Sequence, residues 1–268
     1  MTKTKSHFWR TVRALPLLGA SIAFAGCAIA STPAREAAEK AEQDKVVREQ
    51  LLPILRLARA SRDAGDLSSA INLYRTALAG QPGDAALIVE FADTLQDAGA
   101  FDEAINAYGK ANADSPARLG ALLGLARVHL ALGQADKALG FVEQARALAP
   151  SESRVLILRG VALDMLGRHP EAQGSYRAVL ETQPRSVAAR NDLALSLALE
   201  GHYAEALDIL TPMAKSTTAP TRVRQNLALV YGLMGNKARA TELSRVDLDR
   251  AATEANLRFF DYARSEMP

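Results

Sequence analysis

Glycine recurs at an unbroken interval of 34 residues: Gly65, Gly99, Gly133, Gly167, Gly201 and Gly235. Alanine keeps the same interval at Ala70, Ala104, Ala138, Ala172, Ala206 and Ala240. A third column reads Ala58, Ala92, Ala126, Gly160, Ala194 and Ala228. A fourth reads Pro82, Pro116, Pro150 and Pro184, and lapses at Thr218. Each column answers a backbone need. A small side chain lets two helices cross closely, so the Ala58 and Ala70 columns mark the contact between a helix A and a helix B. The glycine column ends helix A, where a left-handed residue is required and glycine takes it without strain. Proline stops helix B because it cannot continue the hydrogen-bond ladder. The chain is 49% hydrophobic but only 5% aromatic, and its β-branched residues are scattered. Alanine and leucine lose little freedom in a helix, so an all-α chain is expected.

This spacing is identified as the tetratricopeptide repeat. The expected fold is a tetratricopeptide repeat superhelix of six 34-residue helix-turn-helix units, with a C-terminal capping helix. The units fall at 51–84, 85–118, 119–152, 153–186, 187–220 and 221–254. No unit can bury its own apolar faces, so stacking makes the core. Expected fillers are Leu57, Phe91, Leu125, Leu193 and Leu227 on the A helices, and Tyr74, Tyr108, Val142, Tyr176 and Leu210 on the B helices. Arg159 interrupts the first series, with its stem packed and its head toward solvent. The last unit departs from the pattern at Ser244 and Asp247. The stretch Arg250–Arg264 reads as a final helix, so residues 255–268 are a capping helix and tail. Leu257, Phe260 and Tyr262 are expected to close the open end, while the Phe259–Phe260 pair leaves a partner contact there open.

Residues 1–26 read as a signal peptide. Lys3, Lys5, Arg10 and Arg13 precede an uncharged apolar run, which is shorter than the ~20 residues of a membrane span. The run ends at Cys27, the single cysteine. One cysteine cannot form an intrachain disulfide, and with four scattered histidines it offers no metal spacing. The stretch "FAGC" resembles a bacterial lipobox, with Phe24 where an aliphatic residue is usual. The resemblance implies cleavage before Cys27 and attachment of diacylglycerol and an N-acyl chain there. Multiple acyl chains suffice for stable anchoring. By the sorting rule of such lipoproteins, Ala28 implies the outer membrane, with the protein facing the periplasm. Residues 27–50 then form a lipidated N-terminus and a charged, partly helical tether. Cleavage also removes four positive charges and leaves a near-neutral protein. A formal net charge of +2 before cleavage already gives no electrostatic case for nucleic acid.

No catalytic residues, metal site or small-molecule site are expected. Phosphate-cradling glycine loops, zinc spacings and nucleophile elbows are absent from the sequence. His129, His169 and His202 lack partner motifs and read as structural, the latter two exposed. In tetratricopeptide arrays, helix A lines a concave groove, and the resemblance places positions 5 and 9 of each unit in it. The candidate partner-binding residues are Leu123, Ile157, Val161, Asn191, Leu195, Gln225 and Leu229. The groove reads as polar at its start (Arg59, Asp93, Arg127) and apolar in its middle and end, which suits an amphipathic helix or extended apolar segment of a protein partner. Finally, Val223–Phe260, with its "RQNLAL", "GN" and "EANLRFF", resembles the TadD-like lipoproteins of Tad/Flp pilus assembly. That resemblance implies an outer-membrane scaffold aiding assembly or localisation of the pilus secretin, without catalysis. A general envelope adaptor, serving outer-membrane barrel assembly or peptidoglycan synthesis, would use the same groove.

Overall fold

The computed structural model describes residues 33–111 and 116–266. Cys27 and the signal segment lie outside them. Among the described residues all regular structure is helical: α1 (Pro33–Asp63), α2 (Leu67–Gly80), α3 (Ala85–Asp97), α4 (Phe101–Ala111), α5 (Arg118–Ala131), α6 (Ala135–Leu148) and α7 (Ser153–Met165), then α8 (His169–Thr182), α9 (Val187–Leu199), α10 (Tyr203–Ala214), α11 (Thr221–Leu233), α12 (Lys237–Asp247) and α13 (Arg250–Glu266). Two compact units divide between Val46 and Val47. In the first, the described residues begin α1 and carry exposed ion pairs Arg35–Glu39 and Lys45–Glu42. The second holds the repeats, with α1, α3, α5, α7, α9 and α11 as A helices and α2, α4, α6, α8, α10 and α12 as B helices. α1 is one helix of 31 residues with Pro53 inside it.

The glycine column does what its spacing demands. All six residues have φ between +70° and +86°. Each sits in the same C-terminal hydrogen-bond pattern. The N–H of Gly65 donates to the Arg62 carbonyl, and that of Asp66 to the Ser61 carbonyl, both at 2.9 Å. The second bond recurs from Ala100, Gln134, Arg168, His202 and Asn236 at 2.8–2.9 Å. This motif satisfies carbonyls that the helix end would otherwise leave unpaired. The proline column lies two residues beyond the ends of α2, α6 and α8. Where it lapses, Pro220 precedes α11 and Pro212 lies inside α10.

Both alanine columns are completely buried throughout. The B-helix fillers Tyr74, Tyr108, Val142, Tyr176 and Leu210 are at most 1% exposed. Several fillers behave otherwise than the sequence suggests. Leu57 is 56% exposed, because no helix B precedes it among the described residues. Arg159 does not send its head to solvent: Nε donates to Glu143 and Nη1 to Ser175, each at 2.8 Å. At the far end, Phe260 is buried and Leu257 packs beside it, but Tyr262 is 61% exposed and closes nothing. In the last repeat, Asp247, with its side chain 10% exposed, is held by Arg224. Ser244 occupies the column filled elsewhere by tyrosine, valine or leucine, and is fully buried.

Three helix-interior glycines accept aromatic rings. A Cβ on Gly124 would lie 2.2 Å from the Tyr108 ring, one on Gly160 2.4 Å from Tyr176, and one on Gly232 2.5 Å from Phe260. Alanine at Gly124 would gain about 1 kcal/mol of helix propensity. Against this stands overpacking of a fully buried ring, typically ~1–3 kcal/mol and more when nothing can give. The overpacking term prevails at 2.2 Å. Gly124→Ala should therefore lower the urea midpoint, with a loss of about 1–3 kcal/mol. Gly109→Ala, on an open helix surface with nothing within 4 Å, should raise it by up to about 1 kcal/mol. Equal shifts in both variants would show that ring packing does not set the cost.

Candidate interaction groove

Positions 5 and 9 of a unit are four residues apart, so on helix A they share one face. Repetition aligns that face from unit to unit. In the first three units it is stitched by charge. Arg59 forms a bidentate pair with Glu90 at 2.7 and 2.8 Å. Arg62 meets Asp97 at 2.7 Å, and Arg127 meets Asp93 at 2.6 Å. Each pair joins neighbouring A helices, so this polar stretch is largely satisfied from within. The B-helix tyrosines take part. Tyr74 donates its hydroxyl to Glu90, and Tyr108 donates to Asp93. Burial, reinforced by Glu90, pushes the Tyr74 phenol up to about 12, so it stays protonated and remains a donor. The hydrogen bond to Glu90 raises Arg59 further above its ordinary value.

Beyond Arg127 the face becomes apolar. Ile157 and Val161 on α7 and Leu195 on α9 are half-buried and lie outside the packed core clusters. Leu229 on α11 is also half-buried, but packs against the last two clusters. The remaining expected groove residues are placed differently. Leu123 is 1% exposed and sits in the core with Val142 and Val155. Its side chain packs among residues of α6 and α7, so it presents nothing to a partner. Asn191 is fully buried and accepts from Asn226 at 3.0 Å while donating to Asp192 at 2.9 Å. Gln225 donates to Asp247 and accepts from Asn256, each at 3.3 Å. Both amides are spent inside the protein. The open apolar rungs are thus Ile157, Val161 and Leu195.

Beside these rungs lies a recessed polar cluster that sequence reasoning missed. Asp164, three residues past Val161, accepts from the Tyr176 hydroxyl at 2.9 Å and the Ser196 hydroxyl at 2.6 Å, and contacts His169 Nδ1 at 2.8 Å. His169 is therefore not a free surface residue; its side chain is 20% exposed. His129 is buried against Phe141 and bonded to Gln134, while His202 is exposed beside Glu205. Serine, histidine and aspartate meet here without the arrangement of a nucleophilic triad. The Ser196 hydroxyl donates its hydrogen bond to the carboxylate rather than to the imidazole, so no base is placed to activate the oxygen. The available signal was the tyrosine column at 74, 108 and 176 facing a carboxylate each time. It could not be read without knowing that the ring crosses to helix A. No group of three or more His, Cys, Asp or Glu among the described residues could hold a metal ion. None of the described helices is long and apolar enough to cross a membrane.

Asp192 lies near this cluster, with its side chain 12% exposed and Arg222 at 3.7 Å. Burial raises its carboxyl above the usual range, opposed by the Asn191 hydrogen bond and Arg222. A raised carboxyl binds its proton more tightly in the folded state. Its cost to stability is absent below the ordinary carboxylate range and grows as pH rises through the raised value. Asp192→Asn should therefore stabilise the protein at about pH 7 and converge with the parent near about pH 3. Urea midpoints measured across that range check it; a constant offset at all pH values would show that ionisation is not the cause.

The C-terminal stretch Val223–Phe260 is devoted to closing the stack. Arg224 binds Asp247 and the Ala219 carbonyl, Asn226 binds Asn191, Asn256 binds Gln225, and Phe260 fills the gap at Gly232. Models of the tetratricopeptide repeat match residues 61–105, 95–161 and 157–211, more than half the chain. No curated protein matches it. Among solved structures it is similar to a tetratricopeptide repeat protein from Parabacteroides merdae ATCC 43184, with 23% identity and a TM-score of 0.64 over 81% of this chain and 88% of that one. It is also similar to the APC/C hetero-tetramer Cut9–Hcn1, with 18% identity and a TM-score of 0.66 over 84% of this chain and 47% of that one. A third similarity is to MamA from Desulfovibrio magneticus RS-1, with 17% identity and a TM-score of 0.52 over 60% and 92% of the two chains. At these identities the likenesses carry the fold, and the repeat models carry the family: this chain belongs to the tetratricopeptide repeat proteins.

Proposed function

We propose that this repeat protein is a lipid-anchored scaffold of the bacterial outer membrane, facing the periplasm. It holds a protein component of the Tad/Flp pilus secretion machine, its secretin, during assembly or localisation. The observation that carries this reading is the likeness of Val223–Phe260 to the TadD-like lipoproteins, joined in one chain to the "FAGC" lipobox and the repeat groove. Tetratricopeptide repeats serve as protein-interaction scaffolds, and the site residues support that role in a specific way. The first three units satisfy their own charges across adjacent A helices, whereas Ile157, Val161 and Leu195 leave apolar surface without a core partner. An apolar segment of another protein laid across α7 and α9 would bury it. Cys27 carries the lipid, and the charged residues after it keep the repeats clear of the bilayer.

Affinity capture from detergent-solubilised native envelope should recover a secretin. Recovery of only a barrel-assembly or cell-wall synthesis complex overturns the pilus reading. Cys27→Ser should abolish incorporation of labelled fatty acid; continued acylation overturns the anchor. Leu195→Glu should weaken capture by roughly tenfold or more, the effect of losing about 1.4 kcal/mol of contact. Its helical circular dichroism should be retained, and unchanged capture would move the partner away from α9. Leu229 is a poorer probe because it also packs on Phe260's cluster.

A further inference from the structure

The two ends of a repeat stack differ from its middle in a way that can be read position by position. Positions 3, 7 and 10 of a unit fall at i, i+4 and i+7, on one face of helix A. At position 3, Leu87, Ala121, Val155, Ala189 and Val223 are at most 4% exposed. At position 10, Thr94, Val128, Ala162, Ser196 and Val230 are all fully buried. At position 7, every later residue touches the preceding helix B. Phe91 lies under Arg75, Leu125 clusters with Tyr108, Arg159 pairs with Glu143, Leu193 clusters with Tyr176, and Leu227 clusters with Leu210. In the first unit the same three positions are Pro53, Leu57 and Ala60, and all three are exposed. This face is separate from the groove of positions 5 and 9.

What covers that face in every later unit is a neighbouring antiparallel helix with a small or apolar flank. α1 offers such a flank itself. Beside the apolar stripe stand Glu49 and Arg56, seven residues and therefore two turns apart on one side of the helix. Both are exposed, and neither forms an ion pair among the described residues. In an antiparallel pair of α1 helices with a two-fold axis beside Pro53, residue 49 of one helix is level with residues 56 and 57 of the other. Glu49 then meets the partner's Arg56 twice over, Pro53 faces its counterpart, and Leu57, level with the partner's Glu49, lies along the aliphatic stem of that side chain. A self-complementary patch of this kind is the requirement for an isologous dimer.

We propose that the exposed face of the first repeat is a homodimer interface, in which α1 of a second copy takes the place that a preceding helix B holds in the later units. Sedimentation velocity on the detergent-solubilised full chain should show a reversible monomer–dimer equilibrium that stops at the dimer. Leu57→Glu should weaken it at least tenfold without loss of helicity, since the side chain is exposed. Glu49→Arg and Arg56→Glu should each weaken it, and the double exchange should restore it, because the reciprocal pair is rebuilt with its signs reversed. A monomer at all concentrations overturns the proposal and leaves the face to a helix of another protein. Growth beyond the dimer overturns the two-fold geometry in favour of head-to-tail contact. A dimer indifferent to Leu57→Glu, or not restored by the double exchange, places its interface elsewhere.

Discussion

Each repeat is held at the point where helix A meets helix B, and only a methyl group or a hydrogen is accommodated there. The Ala58 and Ala70 columns are completely buried, and the one departure, Gly160, is smaller still. Close approach lets the backbones pack with little intervening side chain, so the orientation of one helix on the next is set by contact rather than by flexible fillers. Because the same contact recurs every 34 residues, the rotation between units recurs as well. The stack and the alignment of its A-helix faces follow from that repetition.

Tyrosine links this packing to the surface. Its ring fills the gap left by a small residue or glycine on helix A, and its hydroxyl continues to a carboxylate beside the groove. Tyr108 does both, against Gly124 and Asp93; Tyr176 does both, against Gly160 and Asp164. Core and groove are therefore mechanically joined. Displacing the ring would disturb the polar network on the binding face, and burial keeps these phenols protonated so that the bond persists. Where the tyrosine column ends, at Leu210 and Ser244, the terminal repeats rely on other devices. Arg224 clamps Asp247, and Phe260 enters from α13 at Gly232.

Much of the fold was legible because small residues, glycines and prolines act through local backbone rules. Gly65 and its five equivalents require no tertiary information to be placed at helix ends. The groove was legible only in part. Position number identified the faces of α7 and α9 that carry Ile157, Val161 and Leu195. It also assigned Leu123 and Asn191 to the same surface, where α6 and α11 in fact cover or engage them. Leu57 failed in the opposite sense: the column marks it as a filler, yet a filler needs a neighbour, and among the described residues the first unit has no preceding helix to supply one. Asp164 and Asp192 escaped notice because carboxylates on a helix ordinarily read as solvated.

The sequence by itself determined the repeat, its period, the turn at every helix A terminus and the all-helical class. These depend on interactions within a few residues or on identical contacts repeated along the chain. Only the tertiary structure decided which apolar residues remain open, which amides and carboxylates are spent internally, and which face of α1 lacks a cover. Those outcomes depend on side chains about 34 residues apart in sequence, in neighbouring units whose identities differ from one repeat to the next.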